Sequence, residues 1–496
     1  MSPAAPAARF GRWITFLVAA ACAVLLAVPA LAGAASAPSI AAKPGLNPKF
    51  SPAASDYASR CRLGHPLQLR IRAPGSGRVR VGRRRPAKSP AKVTVRLKVG
   101  QRVTIRMRWR GRNVAYNVRC IPPHFPKWTA KRHGTPQAKW YLVTPTLGDA
   151  GSHVVALFDR NGAPVWWMER PTKPHDAKVL PNGHFAWSTF TNGQYASHSV
   201  PYDERRADGS LVRRIRAVGV PTDGHDMQVL PNGNFIVVGY PARNGVDLSA
   251  YGGPKRATVV DAEVQEVTPG GRRVWRWNSR DHIDVSEATP FMESIIEGPV
   301  ATADGRNAYD IVHINSVEPD GDSIIVSMRQ TNGVYKINRA SGAIEWKLGG
   351  TQTPESLSID GESDNPLAIS GQHDARLLPD GTLTMHDNRT LGAFSPRAVR
   401  FRIDAAARTA TTVEQVTDPA AAFSVCCGSA RKLPRGNWVM SWGSSPLVTE
   451  LTPAGRRVFG LHFQRKPEAF AYRAFPVMPG QLSAGALRAG MDAMAR

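Results

Sequence analysis

The sequence predicts an all-β chain: a six-bladed β-propeller preceded by a small, strongly basic β-sandwich-like domain. Three observations predict it. A His-to-Pro hairpin motif recurs at blade-sized intervals, the basic residues crowd into one segment of alternating pattern, and an apolar run near the amino terminus reads as an export signal.

Composition sets the limits. The 496 residues are 42% hydrophobic and 21% charged, which suits a folded chain and excludes wholesale disorder. With 44 Gly and 40 Pro, many short elements joined by turns are favoured over long helices. The net charge of +26 first suggests a nucleic-acid binder, but its distribution argues against one. Between Tyr57 and Gly148 there are 23 Lys and Arg and no acid, and the rest of the chain is left with a net of only +3. The basicity therefore belongs to one segment. It suits an anionic envelope polymer or lipid, with no specific nucleic acid implied.

Residues 1–32 read as a signal peptide. Arg9 and Arg12 supply a positive start, Ile14 to Ala32 is an apolar run, and Ala30-Leu31-Ala32 is a small-x-small cleavage site. The run also reaches the length of a membrane span, so an uncleaved anchor is the alternative. Residues 33–54, rich in Pro, Ala and Ser, read as a linker. Residues 55–125 form the basic domain, where stretches such as Ala91 to Trp109 alternate apolar and basic residues, as half-buried strands do. Once Cys22 leaves with the signal, four cysteines remain, and an even count outside the cytosol suggests disulfides. Cys61 and Cys120 bracket the basic segment and are expected to staple it. Cys426 and Cys427 are either a vicinal bridge or two thiols. The four lack the paired spacing of a zinc site.

The propeller is assigned to residues 126–480, with a tail at 481–496. His175, His225, His313 and His373 each stand six residues before a proline that precedes Asn-Gly or Asp-Gly, and Gly428 opens a fifth copy. Such dipeptides between β-rich runs mark hairpins in which both central residues take positive φ. A second hairpin accompanies each copy. The copies are spaced 50, 88, 60 and 55 residues apart, which fits four-stranded blades. A sixth blade is expected from Lys139 to Asp159, closed by a strand near Ala471 to Val477. The long interval hides an insertion, roughly Asp281 to Asn307, expected as a loop or short helix at one mouth. Inner strands line a propeller's channel, so His225, His313 and His373 are expected to converge on the axis; His175 is read as a residue that fixes its blade.

The stretches "GHDMQVLPNGN", "HINSVEPDGDSIIVSMRQTNGVYKINRASGAIEWKLGG", "GQHDARLLPDGTLTMHDN" and "CCGSARKLPRGNWVMSWG" resemble the arylsulfotransferase family, over roughly residues 120 to 478. The resemblance implies a six-bladed propeller that moves a sulfuryl group from an aryl sulfate to a phenol through a sulfohistidine, with no nucleotide donor and no metal cofactor. By motif, His373 matches the nucleophile, and His313, Asn315 and Arg329 match the residues that hold the sulfuryl oxygens. His225 matches the remaining site histidine, whereas Ile314 stands where well-studied members carry a polar residue.

The residue types suit that chemistry without the resemblance. A guanidinium presents two donors to two oxygens. A neutral imidazole is a nucleophile, and a second imidazole can trade protons with a phenol near neutral pH. Two other classes fit the same residues: a zinc-dependent hydrolase or lyase built on three histidines, and a non-catalytic propeller that binds an envelope polymer or partner.

Overall fold

The computed structural model describes residues 37–62, 65–146, 153–190, 198–360, 368–392, 394–464 and 470–495. The signal-peptide segment lies outside the described residues.

Six four-stranded antiparallel blades surround one axis. The first combines Trp140–Thr146, His153–Asp159 and Pro164–Arg170 with the carboxy-terminal strand Phe470–Val477, which pairs with Trp140–Thr146. Joining the first and last strands of the propeller in one blade leaves the ring without an open seam. The second to fifth blades open on the inner strands Pro174–Val179, Thr222–Val229, Ile314–Asp320 and His373–Leu377, and the sixth on Ser429–Lys432. Trp128–Arg132 adds an outer strand to the sixth blade, and Ser356–Ile359 bridges the outer edges of the fourth and fifth. Inner strands are buried on both faces and read as near-continuous buried runs, whereas the outer strand Thr409–Val416 alternates. Apolar clusters fill the junctions between neighbouring blades, one of them shared by the sixth, first and second; Leu180, Tyr202, Met227 and Phe235, for example, pack the second blade on the third.

The hairpins differ from the expected type. In four copies only the glycine has positive φ (Gly183, Gly233, Gly381 and Gly436), and its N–H donates to the carbonyl of Leu180, Leu230, Leu378 or Leu433. The proline ring ahead of the dipeptide locks a negative φ, so the turn starts on proline and ends on a left-handed glycine. The long interval also differs. The helix Met292–Glu297 is present, but the insertion also takes Ala242–Val246 and Ala257–Val260 out of the third blade and pairs them in a small sheet with Asn307–Asp310 and Val300–Ala301.

Ahead of the propeller, two sheets share one apolar core that includes Leu69, Ile71, Val79, Ile105 and Met107. Cys61 and Cys120 are joined by a disulfide. The stretch read as a linker is part of this unit from Ser39 onward: Ser39–Lys43 pairs with Leu67–Arg72 and buries Ile40, an apolar anchor hidden among small residues. The stretch read as a tail contains the helix Ala484–Met494, capped by Ser483. Leu487 and Met491, one turn apart, are buried against the first blade, and a Cβ at Gly490 would stand 2.4 Å from the carbonyl oxygen of Ala207.

Candidate functional site

Four of the inner strands begin with an irregularity. Pairing slips between His175 and Lys178, Thr222 and Met227, Ile314 and Ser316, and His373 and Arg376. Around these bulges non-glycine residues take positive φ: Asp176 at 41°, His313 at 55°, Asp374 at 61° and, at the start of the sixth blade, Cys427 at 68°. Bulges re-aim side chains, and backbone held in the left-handed region by bulky residues clusters at functional sites. Here the bulges turn the histidines toward the axis.

Those side chains line a cavity of about 270 Å³ with Arg329, Tyr472, Cys426 and Cys427. The ring centroids of His225 and His313 are 4.7 Å apart, those of His175 and His225 5.4 Å, and His175 lies 3.6 Å from Tyr472. Ser294 and Ile295 of the inserted helix, with Val300 beyond it, line the same cavity. The sequence expectation placed His225, His313, His373 and Arg329 together, and all four line this one cavity. Asn315 is not brought to its wall. Its Nδ2 donates to the carbonyl of Gln372 at 2.7 Å, which ties the fourth blade to the fifth.

Each imidazole has its own electrostatic setting. The His373 ring places Nδ1 2.7 Å from the Gly371 carbonyl and 2.9 Å from Asn388 Oδ1, while Nε2 accepts the Cys427 N–H at 3.1 Å. That pattern assigns the proton to Nδ1 and the lone pair to Nε2. Burial, and then the charge of Arg329, push the His373 pKa well below its ordinary value, so the ring is neutral. Burial also opposes charge on His225, but Asp223, 2.7 Å from its Nδ1, and Asp310 outweigh it and hold this pKa above the ordinary value. His313 faces Asp310 at 2.5 Å, yet burial dominates and its pKa is lowered. Burial and then His225 push His175 well below the ordinary value.

Arg329 supplies positive charge. Its guanidinium donates to Gln330 Oε1 at 2.6 Å and to the Val425 carbonyl at 3.2 Å, and stands 4.6 Å from the centre of the Phe291 ring. Among the described residues no carboxylate lies within ion-pair distance of it. Cys426 and Cys427 are thiols. No group of three or more His, Cys, Asp or Glu side chains among the described residues has the arrangement of a metal site.

Sequence reasoning missed several members. His175, read as a residue that fixes its blade, lines the cavity, and the shared repeat position was the signal. Its Nε2 and Tyr472 Oη are buried without a hydrogen-bond partner among the described residues. Tyr472 lies on the closing strand, which carries no copy of the motif. Asp223 and Asp310 precede their histidines by two and three residues, Asp223 near the start of the strand Thr222–Val229 and Asp310 at the end of the strand Asn307–Asp310.

Directly beneath the rings, the aspartates that follow three of the motif positions form an ionic lattice. Asp226 meets Lys178 at 2.6 Å, Arg376 at 2.7 Å and Arg473 at 3.3 Å. Asp176 meets Lys178 and Arg473, each at 2.7 Å; Asp374 meets Arg431 at 2.7 Å and Arg376 at 2.9 Å. Buried charges are tolerated when paired in this way.

The chain is similar to solved structures at low identity. A protein of unknown function from Bacteroides caccae is 12% identical, over 68% of this chain and 99% of that one, with a TM-score of 0.41. The periplasmic gluconolactonase PpgL of Pseudomonas aeruginosa is 14% identical, over 68% and 97%, with a TM-score of 0.37. No curated protein matches. Residues 215–464, half of the chain, match the family model described as Arylsulfotransferase (ASST). This is a narrower span than the motifs suggested, running from the outer strand of the second blade through the sixth. His225, His313, Asn315, Arg329 and His373 all fall inside it, and the chain belongs to the arylsulfotransferase family.

Proposed function

We propose that the protein is an exported, nucleotide-independent arylsulfate sulfotransferase that works through a sulfohistidine on His373. The observation that carries this reading is the meeting, in one cavity, of a neutral imidazole, an imidazole of raised pKa and an arginine with no carboxylate partner among the described residues.

The aryl sulfate enters as a monoanion and its sulfuryl oxygens settle on Arg329, with His313 beside them. Nε2 of His373 attacks sulfur, an N–S bond forms, and the bond from sulfur to the aryl oxygen breaks. The departing phenolate takes a proton from His225, whose charged form Asp223 favours. The Nδ1–H of His373 stays on the Gly371 carbonyl and Asn388, which spread the positive charge of the sulfated ring. The Cys427 N–H loses the Nε2 lone pair as its acceptor and donates to a sulfuryl oxygen instead. In the second half, His225 takes the proton of the acceptor phenol, its oxygen attacks sulfur, and the N–S bond breaks. Sulfuryl transfer of this kind is mostly positioning and charge stabilisation, which these groups supply.

The test uses a chromogenic aryl sulfate without nucleotide. The purified protein should gain one sulfuryl mass on the peptide holding Gln372, His373 and Asp374, and should release a burst of phenol equal to the enzyme concentration. A wild-type protein that neither labels nor turns over any aryl sulfate would return the propeller to the binding class.

A further inference from the structure

The larger sheet of the amino-terminal unit carries an outward face on which cations stand opposite cations. Arg80 pairs across the strands with Arg106, and Arg78 with Arg108 on one side and Lys88 on the other. All five side chains are exposed, and none has an acidic partner among the described residues. Like charges directly opposite one another destabilise a sheet, so nothing in the fold of this unit calls for them.

The other end of the same face gives the contrast. Arg102 and Arg119, the next cross-strand pair but one, meet Asp492 of the carboxy-terminal helix at 2.6 and 2.9 Å. Where the protein covers this face with its own helix, it brings an acid. Where the face is open, it brings none.

We propose that the open end is a docking surface for a linear phosphodiester polymer. Strand spacing sets the cations about 5 Å apart across the sheet and about 7 Å apart along a strand, a flat lattice that suits a chain of evenly spaced monoanions. Four of the five are arginines, whose planar forks take two oxygens of one phosphate. The chemistry of the face disfavours the other polyanions. Val99 is the one large apolar residue of this unit exposed among the described residues, so no apolar wedge is offered to a bilayer. Trp109 and Tyr116 turn into the core, so there is no aromatic platform for bases, and the face has no helix or ribbon to enter a groove.

The experiment measures binding of the full chain to poly(glycerol phosphate) against salt. Affinity should fall steeply with salt, and Arg80→Gln and Arg106→Gln should each lower the log–log slope by ~0.7, about one released counterion per charge. The paired variant should melt no lower than wild type, because a like-charge pair has been removed, while Arg70→Gln on the smaller sheet should leave binding unchanged. Burst amplitude with aryl sulfate should be the same in all of them, which separates this surface from the sulfotransfer reading. Three outcomes would overturn the proposal: no binding at low salt, binding indifferent to Arg80 and Arg106, or tighter binding per phosphate to phosphatidylglycerol vesicles or duplex DNA.

Discussion

Two layers of the axial channel are built from neighbouring residues of one motif, and they are finished in opposite ways. Among the described residues of the upper layer, His175 keeps a buried nitrogen without a partner, His373 accepts only a backbone N–H at Nε2, and Arg329 has no carboxylate partner. One residue further along, Asp176, Asp226 and Asp374 are saturated by Lys178, Arg376, Arg431 and Arg473. Burial alone would raise the Asp226 pKa, but Arg376, Lys178 and Arg473 reverse it and hold the carboxyl well below the ordinary range. Unsatisfied polar groups on a rigid, ion-paired floor are what a preorganised site requires. The difference teaches that the repeat serves two ends: its first residue faces the ligand, and its second locks the blades together.

The sharpest way to break this division is His373→Asn. Labelling with aryl sulfate and the phenol burst should both vanish, while the thermal midpoint stays close to wild type. His225→Asn should slow turnover by ~10²–10⁴, the usual worth of a general acid–base, yet still allow labelling with a good leaving group. A His373→Asn protein that keeps full activity would put the nucleophile elsewhere.

The lower layer should answer differently. Asp226→Asn leaves Lys178, Arg376 and Arg473 facing one another around a neutral amide and should cost about 3–5 kcal/mol in urea unfolding. Labelling per folded molecule should survive. If it disappears without loss of stability, the two layers are not separate in role.

Legibility followed the same split. The histidine positions stood out because the proline and glycine that close each hairpin repeat with them, and the blade count followed from their spacing. The lattice was also written in the sequence: in His175-Asp176-Ala177-Lys178 and His373-Asp374-Ala375-Arg376 an acid and a cation recur at fixed offsets. It went unread because its meaning lies in contacts between blades. Tyr472 and Arg473 come from the closing strand, more than 150 residues beyond His313, and only ring closure brings them to the axis. The helix Ala484–Met494 was hidden by its small residues, since two buried side chains one turn apart make a weak pattern.

Arg329→Lys tests the upper layer more gently. Lysine keeps the charge but not the two-pronged donor, so kcat/KM should fall roughly tenfold to a hundredfold, short of the ~10²–10³ seen when a stabilising donor is lost outright. An unchanged rate would mean that charge alone holds the sulfuryl group.

The smallest effect lies in the pH profile, where the histidines should pull in opposite directions. His225 has a raised pKa, so any stability its charged form contributes is fully present below the unfolded value of about 6.5 and is lost as pH rises through the folded one. His373 and His175 have lowered values. The unfolded chain takes up protons below about 6.5 that the folded protein refuses, so stability should decline as pH falls from there toward their folded values. Labelling by an aryl sulfate with a poor leaving group requires charged His225 and neutral His373, and its rate should be flat between the two pKa values and fall on the alkaline side. Asp223→Asn removes the main charge that raises the His225 pKa and should shift the alkaline limb to lower pH, by one unit for each ~1.4 kcal/mol of lost attraction. The acid limb, set by His373, should not move. An alkaline limb that stays in place in the Asp223→Asn protein would show that another group gives the phenolate its proton.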